Sequence, residues 1–346
     1  MRKIYLDYLR AFAIIGVICT HVTVKYYGDS ELSGTATWWM ANIINAASRF
    51  AVPLFVMISG AVLLGKSQPV AEFYQKRAWR ILPPWIFWSV AFLIFNYVFT
   101  GDLYTLVWFL KGGILIQGNT TTHLWYLSMF ACLMLFAPYI NKIILNEPVT
   151  KHEVKILCWI VLVFLILNEL DHVYALIKDK PIQWFKTFIW FVPYFIGGFL
   201  IDRYSDQIKL SSVYIVVTVL VSLGIGIGMN YGVADQLGIF KDYLVLRNDG
   251  VLIYFITFGV FILARRHMDK IKANRLIGAL SDASFGIYLI HPAFIFLINR
   301  YLIPSHFSTN GAGGVIAICM TIFITLLLSW LTISIMRKQA ALRMIS

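Results

Sequence analysis

Ten apolar runs, each long enough to span a lipid bilayer, follow one another along the 346-residue chain at about 8–26, 38–64, 79–99, 122–145, 154–170, 186–201, 211–229, 250–264, 277–301 and 313–336. A transmembrane helix needs roughly 20 apolar residues, and only short polar connections separate these runs. In hydrocarbon the backbone must satisfy its own polar groups, which selects helices or a closed barrel. The alternating ten-residue segments of a barrel are absent, while 11 Trp and 18 Tyr suit the interfacial belts of a helical bundle. The expected fold is therefore all-α, a polytopic integral membrane helical bundle of about ten transmembrane helices forming one domain over residues 1–346. With 60% of residues hydrophobic, 13% charged and a mean hydropathy of +0.76, little is left for a soluble domain. Segment 102–118, with Trp108 and the pair Gly112-Gly113, is apolar but broken by Lys111, and reads as an interfacial or re-entrant piece.

The net charge of +12 is a matter of topology rather than of a polyanionic partner, so no nucleic acid is expected. With the N-terminus placed in the cytoplasm, nineteen of the 29 Lys and Arg residues fall on that side and eight on the other, while Arg10 and Arg49 lie within helices. That bias sets both termini in the cytoplasm. Arg2 and Lys3 precede the first run as in a signal peptide, but no small-residue cleavage site follows, so the run is expected to stay as a mature helix. Cys19, Cys132, Cys158 and Cys319 are scattered through apolar stretches without a Cys-x-x-Cys spacing. They read as small buried apolar residues, neither a disulfide framework nor a thiolate metal site.

Cations and imidazoles inside a bilayer cost about 2.5–3.5 kcal/mol on insertion scales, so each is a functional candidate. Arg10 and His21 are eleven residues apart in the first run, about 16.5 Å of rise and only about 20° from three full turns. They share one face, with Arg10 near the cytoplasmic mouth and His21 in the outer half. Either the stripe marks a substrate path, or Arg10 snorkels as a topology anchor while His21 hydrogen-bonds within the bundle. His123 and His291 fall at similar depth, so three imidazoles converge externally in this reading; none has the local spacing of a metal motif, and no metal is expected. Arg49, within Asn45-Ala46-Ala47-Ser48-Arg49-Phe50-Ala51-Val52-Pro53, is too deep to snorkel and is expected to face the bundle interior. Arg77 and Arg80 lie three apart at the start of the third run and present paired guanidinium forks suited to phosphate, or else anchor the topology. Ser59-Gly60 is expected to permit close helix approach. Trp38, Trp39, Trp125 and Trp159 read as interfacial anchors, with Trp125 beside His123 as an alternative floor for a sugar.

Five motifs in this order resemble the acyltransferase-3 family of bacterial integral-membrane O-acyltransferases. They are Leu6-Asp7-Tyr8-Leu9-Arg10 followed by ten residues and His21, Val52-Pro53-Leu54-Phe55-Val56-Met57-Ile58-Ser59-Gly60, Arg77-x-x-Arg80 before Leu82-Pro83, His123-Leu124-Trp125-Tyr126-Leu127, and Ser284-Phe285-Gly286-Ile287-Tyr288-Leu289-Ile290-His291-Pro292. The second run looks most like the branch that acetylates enterobacterial common antigen. The resemblance implies a multi-pass protein of the bacterial cytoplasmic (inner) membrane. It implies a cytoplasmic acyl-CoA co-substrate, usually acetyl-CoA, no permanently bound cofactor, and an acceptor sugar hydroxyl on a lipid-linked or nascent envelope glycan at the outer face. It also implies Arg10 and His21 as the essential arginine-histidine pair and Arg77 with Arg80 as the pair near the donor. The fused extracytoplasmic esterase-like domain of some members is not expected here, so the membrane domain alone would complete the transfer. In the mechanism this suggests, Arg10, Arg77 and Arg80 hold the CoA phosphates and the pantetheine arm lies along the first helix. His21 is general base or transient acyl carrier. Arg49, His123, Tyr288 and His291 are the candidate contacts to the transition state or acceptor. Two other classes stay open: a flippase or exporter of a glycan or lipid-linked sugar without covalent chemistry, and a structural subunit of a glycan synthase.

Overall fold

The computed structural model describes residues 3–101, 107, 122–178, 185–237, 246–303 and 311–346, and among them every regular element is helical. The helices are α1 (Ile4–Tyr27), α2 (Ala36–Ser48), α3 (Ala51–Leu63), α4 (Val70–Thr100), α5 (Trp125–Leu145), α6 (Lys151–Lys178), α7 (Val192–Tyr204), α8 (Ser212–Leu237), α9 (Val251–His267), α10 (Arg275–Leu297) and α11 (Gly311–Met336). Each of the ten apolar runs falls on helix. Seven helical stretches among the described residues are long and apolar enough to cross a membrane: α1, α2 with α3, α4, α5, α8, α10 with its short extension, and α11. Most of segment 102–118 lies outside the described residues.

The chain divides into two compact units, one of residues 1–62, 193–344 and 346, the other of residues 63–192 and 345. In the first unit α1 is the hub and packs on α2, α9, α10 and α11, while α10 packs on α11. The second run is broken into α2 and α3 at Arg49 and Phe50. The cause is Pro53, which has no N–H to give the carbonyl of Arg49 four residues back and whose ring crowds it. Cooperating glycines join α3 to α7: a Cβ on Gly60 would stand 1.7 Å from the Phe195 carbonyl oxygen, and one on Gly198 would stand 1.9 Å from that of Met57. Only glycine admits backbones that close, and the expectation for Ser59-Gly60 is met.

In the second unit α4 and α5 run antiparallel. Tyr74 Oη donates to the Leu135 carbonyl at 2.7 Å, and further along Phe92 meets His123 edge to face at 4.8 Å. Asn141 of α5 closes the turn before α4, accepting from the Gly65 N–H at 2.7 Å and donating to the Lys66 carbonyl at 2.8 Å. Phe136, Phe164, Phe185 and Phe188 stack into one aromatic cluster. Asp171 of α6 pairs with Lys186 at 2.7 Å.

Two expectations need correction. Cys158 and Cys319 are exposed, because a helix bathed in lipid carries its apolar side chains outward as readily as inward. The same holds for Val213, Val217 and Leu220 on α8. Trp38 is not an interfacial anchor: it is fully buried, with its indole N–H donating to the Tyr27 carbonyl at 3.1 Å.

Candidate functional site

Two contacts align α1 with α10. Near the start of α1, Ser281 donates to the buried carboxylate of Asp7 at 2.8 Å, and Arg10 pairs with that same carboxylate oxygen at 3.3 Å. Near its end, the His21 and His291 rings meet with centroids 5.0 Å apart. Both numberings rise together between these contacts, so α1 and α10 run in the same direction. The Arg10 and His21 stripe foreseen on one face of α1 is the face that meets α10.

His291 is fully buried, and its Nδ1 lies 2.8 Å from the carbonyl oxygen of Tyr288. A carbonyl only accepts, so Nδ1 carries the hydrogen and Nε2 is the basic nitrogen of the neutral ring. Pro292 is what makes the Tyr288 carbonyl available, since it lacks the N–H that would bond this carbonyl in a regular helix. The Tyr288-x-x-His291-Pro292 spacing is thus a local device that fixes the imidazole tautomer.

Arg49 sits at the α2–α3 break, 9% exposed, and its Nε donates to Asn45 Oδ1 at 2.8 Å. The Asn45 amide in turn donates to Thr23 Oγ1 at 3.0 Å, and Ser48 Oγ and Thr20 Oγ1 share a hydrogen bond at 2.9 Å. These bonds zip α2 to the turns of α1 that flank His21 and fix Arg49 at the helix junction. The interior position expected of Arg49 is observed. The Asn45, Thr20 and Thr23 network was not foreseen, although Asn45 and Ser48 stand in the same motif four and one residues before Arg49.

Below Asp7, Asp202 of α7 accepts from Tyr5 Oη at 2.6 Å and pairs with Lys3 and with Arg265, whose guanidinium also lies 5.5 Å over the Tyr5 ring. This second cluster was also missed, because Asp202 and Arg265 are far from α1 in sequence. On the side of α1 roughly opposite Arg10 and His21, a groove of 860 Å³ is walled by Leu9, Phe12, Gly16, Cys19, Val213 and Val217. Its wall is apolar and suits a lipid chain rather than a sugar.

The remaining candidates belong to the second unit. Arg77 and Arg80 lie on α4, Arg77 half-buried with its guanidinium 5.6 Å over the Phe73 ring and Arg80 exposed. His123 is buried against Phe92. Trp125 is half-buried, its ring 5.9 Å from that of Phe191. The sequence candidates thus separate into Arg10, His21, Arg49, Tyr288 and His291 in one unit, and Arg77, Arg80 and His123 in the other. Among the described residues no group of three or more His, Cys, Asp or Glu is arranged to hold a metal ion.

Helices able to cross a bilayer, lined inside with arginine, histidine and carboxylate, define a multi-pass membrane protein with an internal polar site. The chain belongs to the acyltransferase-3 family: the model of its acyltransferase domain matches residues 3–333, nearly the whole sequence. No curated protein and no solved structure matches the chain. Family membership supports a membrane acyltransferase activity.

Proposed function

We propose that the protein transfers an acyl group, most simply acetyl, from cytoplasmic acyl-CoA to a sugar hydroxyl of a lipid-linked or nascent envelope glycan on the far side of the bacterial cytoplasmic membrane. One observation carries this reading beyond family membership: His21 lies against His291, and Arg49 is fixed at the α2–α3 break by a hydrogen-bond network that reaches the turns of α1 flanking His21. In the proposed step neutral His21 takes the acceptor hydroxyl proton as that oxygen attacks the thioester carbonyl. The new ester C–O bond forms, the C–S bond breaks, and the CoA thiolate leaves and is protonated. Arg49 stabilises the developing oxyanion, while His291, whose Nε2 can accept from a hydroxyl of the acceptor, and the neighbouring Tyr288 contact the acceptor. Arg77 and Arg80 bind CoA phosphate, and Arg10, paired with Asp7, is the donor-side candidate of the first unit. The apolar groove takes a lipid chain, that of the acceptor or of a membrane lipid. The motif on α2 and α3 favours the enterobacterial common antigen branch.

Helix directions support the proposed count of ten spans, an even number that puts both termini on one side, which the Lys and Arg bias makes the cytoplasmic one. Because α1 and α10 are parallel, an even number of crossings must separate their starting points. Counting only the seven candidate stretches puts five there, an odd number. Adding α6, α7 and α9 makes eight, and ten in all.

The test is mass spectrometry of envelope glycans from a deletion strain complemented with wild type or His21→Ala at equal membrane abundance, together with acyl-CoA-dependent release of free CoA by the purified protein. A fixed acyl mass increment and CoA release, both confined to wild type, are expected. Glycan export without CoA release would establish the exporter instead, and equal increments from both proteins would remove His21 from the chemistry.

A further inference from the structure

Burying a hydrogen-bonding atom without a partner is costly, and in hydrocarbon water does not relieve it. Among the described residues α4 carries three such atoms: Arg77 Nε, Trp85 Nε1 and Ser89 Oγ. On a helix these residues fall within about 120° of one another, and Ser89 lies about 18 Å of rise beyond Arg77. They form one row that starts at the arginine pair and points toward Phe92 and its neighbour His123.

Thr325 and Ser329 on α11 also have partnerless buried hydroxyls, but a hydroxyl can rotate onto the carbonyl one turn back in its own helix. Ser89 has the same escape. The indole N–H of Trp85 has none, because it is a donor fixed on a rigid ring beyond reach of its own backbone, so Trp85 and Arg77 carry the inference. Pro83 and Pro84 lie between them and withdraw the N–H groups that would bond the carbonyls of Trp79 and Arg80 in a regular helix. Donors in line along an apolar helix match a ligand that is itself an apolar chain interrupted by amide carbonyls.

We infer that this face of α4 holds the pantetheine arm of the acyl-CoA donor, with Trp85 Nε1 donating to an amide carbonyl of the arm. The inference rests on the acyl-CoA reading above. The arm has about twelve skeletal bonds and reaches roughly 14 Å when extended, enough to run from phosphates at Arg77 past Trp85 toward Ser89. The polar side chains along α1 offer no comparable row, since Asp7, Thr20 and Thr23 are already bonded within their own unit.

Trp85→Phe removes the N–H and keeps the aromatic ring. Binding of CoA and of adenosine 3′,5′-bisphosphate, the nucleotide end without the arm, is measured on the purified full chain, with thermal unfolding of the ligand-free protein alongside. CoA binding is expected to weaken about five- to tenfold, with bisphosphate binding unchanged and ligand-free stability unchanged or raised, since a partnerless group is lost. Arg77→Ala is expected to weaken both ligands. Unchanged CoA affinity in Trp85→Phe, an equal loss for the bisphosphate, or a drop in ligand-free stability would each overturn the assignment while leaving the CoA donor standing. Wild type that binds no CoA would overturn the donor reading and the arm together.

Discussion

The junction of α1 with α2 and the exposed length of α4 are both apolar helices seeded with a few polar residues, yet they treat those residues in opposite ways. At the first, Thr20, Thr23, Asn45, Ser48 and Arg49 bond to one another across two helices. On the second, Arg77, Trp85 and Ser89 bury polar atoms with no protein partner. A polar group already bonded within the protein fixes geometry, and one left open is kept for something that arrives. The first region is built to hold His21 and Arg49 still, and the second to receive an elongated polar ligand.

The sharpest break of this contrast is chemical. His21→Ala is expected to lower acyl-CoA-dependent turnover by about 10²–10⁴-fold with little change in donor affinity, read from steady-state kinetics of purified protein. Gly60→Ala comes next, because its Cβ would meet the Phe195 carbonyl, backbone that cannot yield as a side chain does. A loss of at least about 1–3 kcal/mol is expected, seen as a lower unfolding temperature and reduced folded yield, and normal stability would mean that α3 and α7 are not so closely apposed. Asn45→Ala cuts the bond to Arg49 and the bond to Thr23 together. It is expected to destabilise by about 1 kcal/mol and to slow turnover about tenfold while sparing CoA binding, which assigns Asn45 as a positioning residue. The smallest effect is the most direct comparison: Ser48→Ala is expected to cost about 0.6 kcal/mol, and Ser89→Ala to be neutral or slightly stabilising. Equal losses from the two serines would erase the difference between the regions.

Much of the architecture was legible because the bilayer is a harsh solvent. Every run of spanning length had to be helix, and Arg49 was too deep to face lipid, so its interior position followed from cost alone. Pro53 and Pro292 were also visible as letters, though their effect is geometric: one breaks the second run beside Arg49, and the other frees the Tyr288 carbonyl that His291 takes. Outward-facing cysteines and a buried Trp38 were misread because lipid removes the usual link between apolarity and burial.

By itself, then, the sequence determined an all-helical membrane protein, the apolar runs, the helical face shared by Arg10 and His21, and the pairing of Arg77 with Arg80. These follow from local periodicity and from the cost of polar groups in hydrocarbon. Tertiary structure alone decided that Ser281 and His291 come to the two ends of the Arg10 and His21 stripe, that Asp202 gathers Tyr5, Lys3 and Arg265, and that α4 keeps polar atoms unbonded. Each depends on which helix faces which across many tens to hundreds of residues of chain, and in a bilayer that choice is made by packing and hydrogen bonds rather than by hydrophobicity, which is nearly the same on every face.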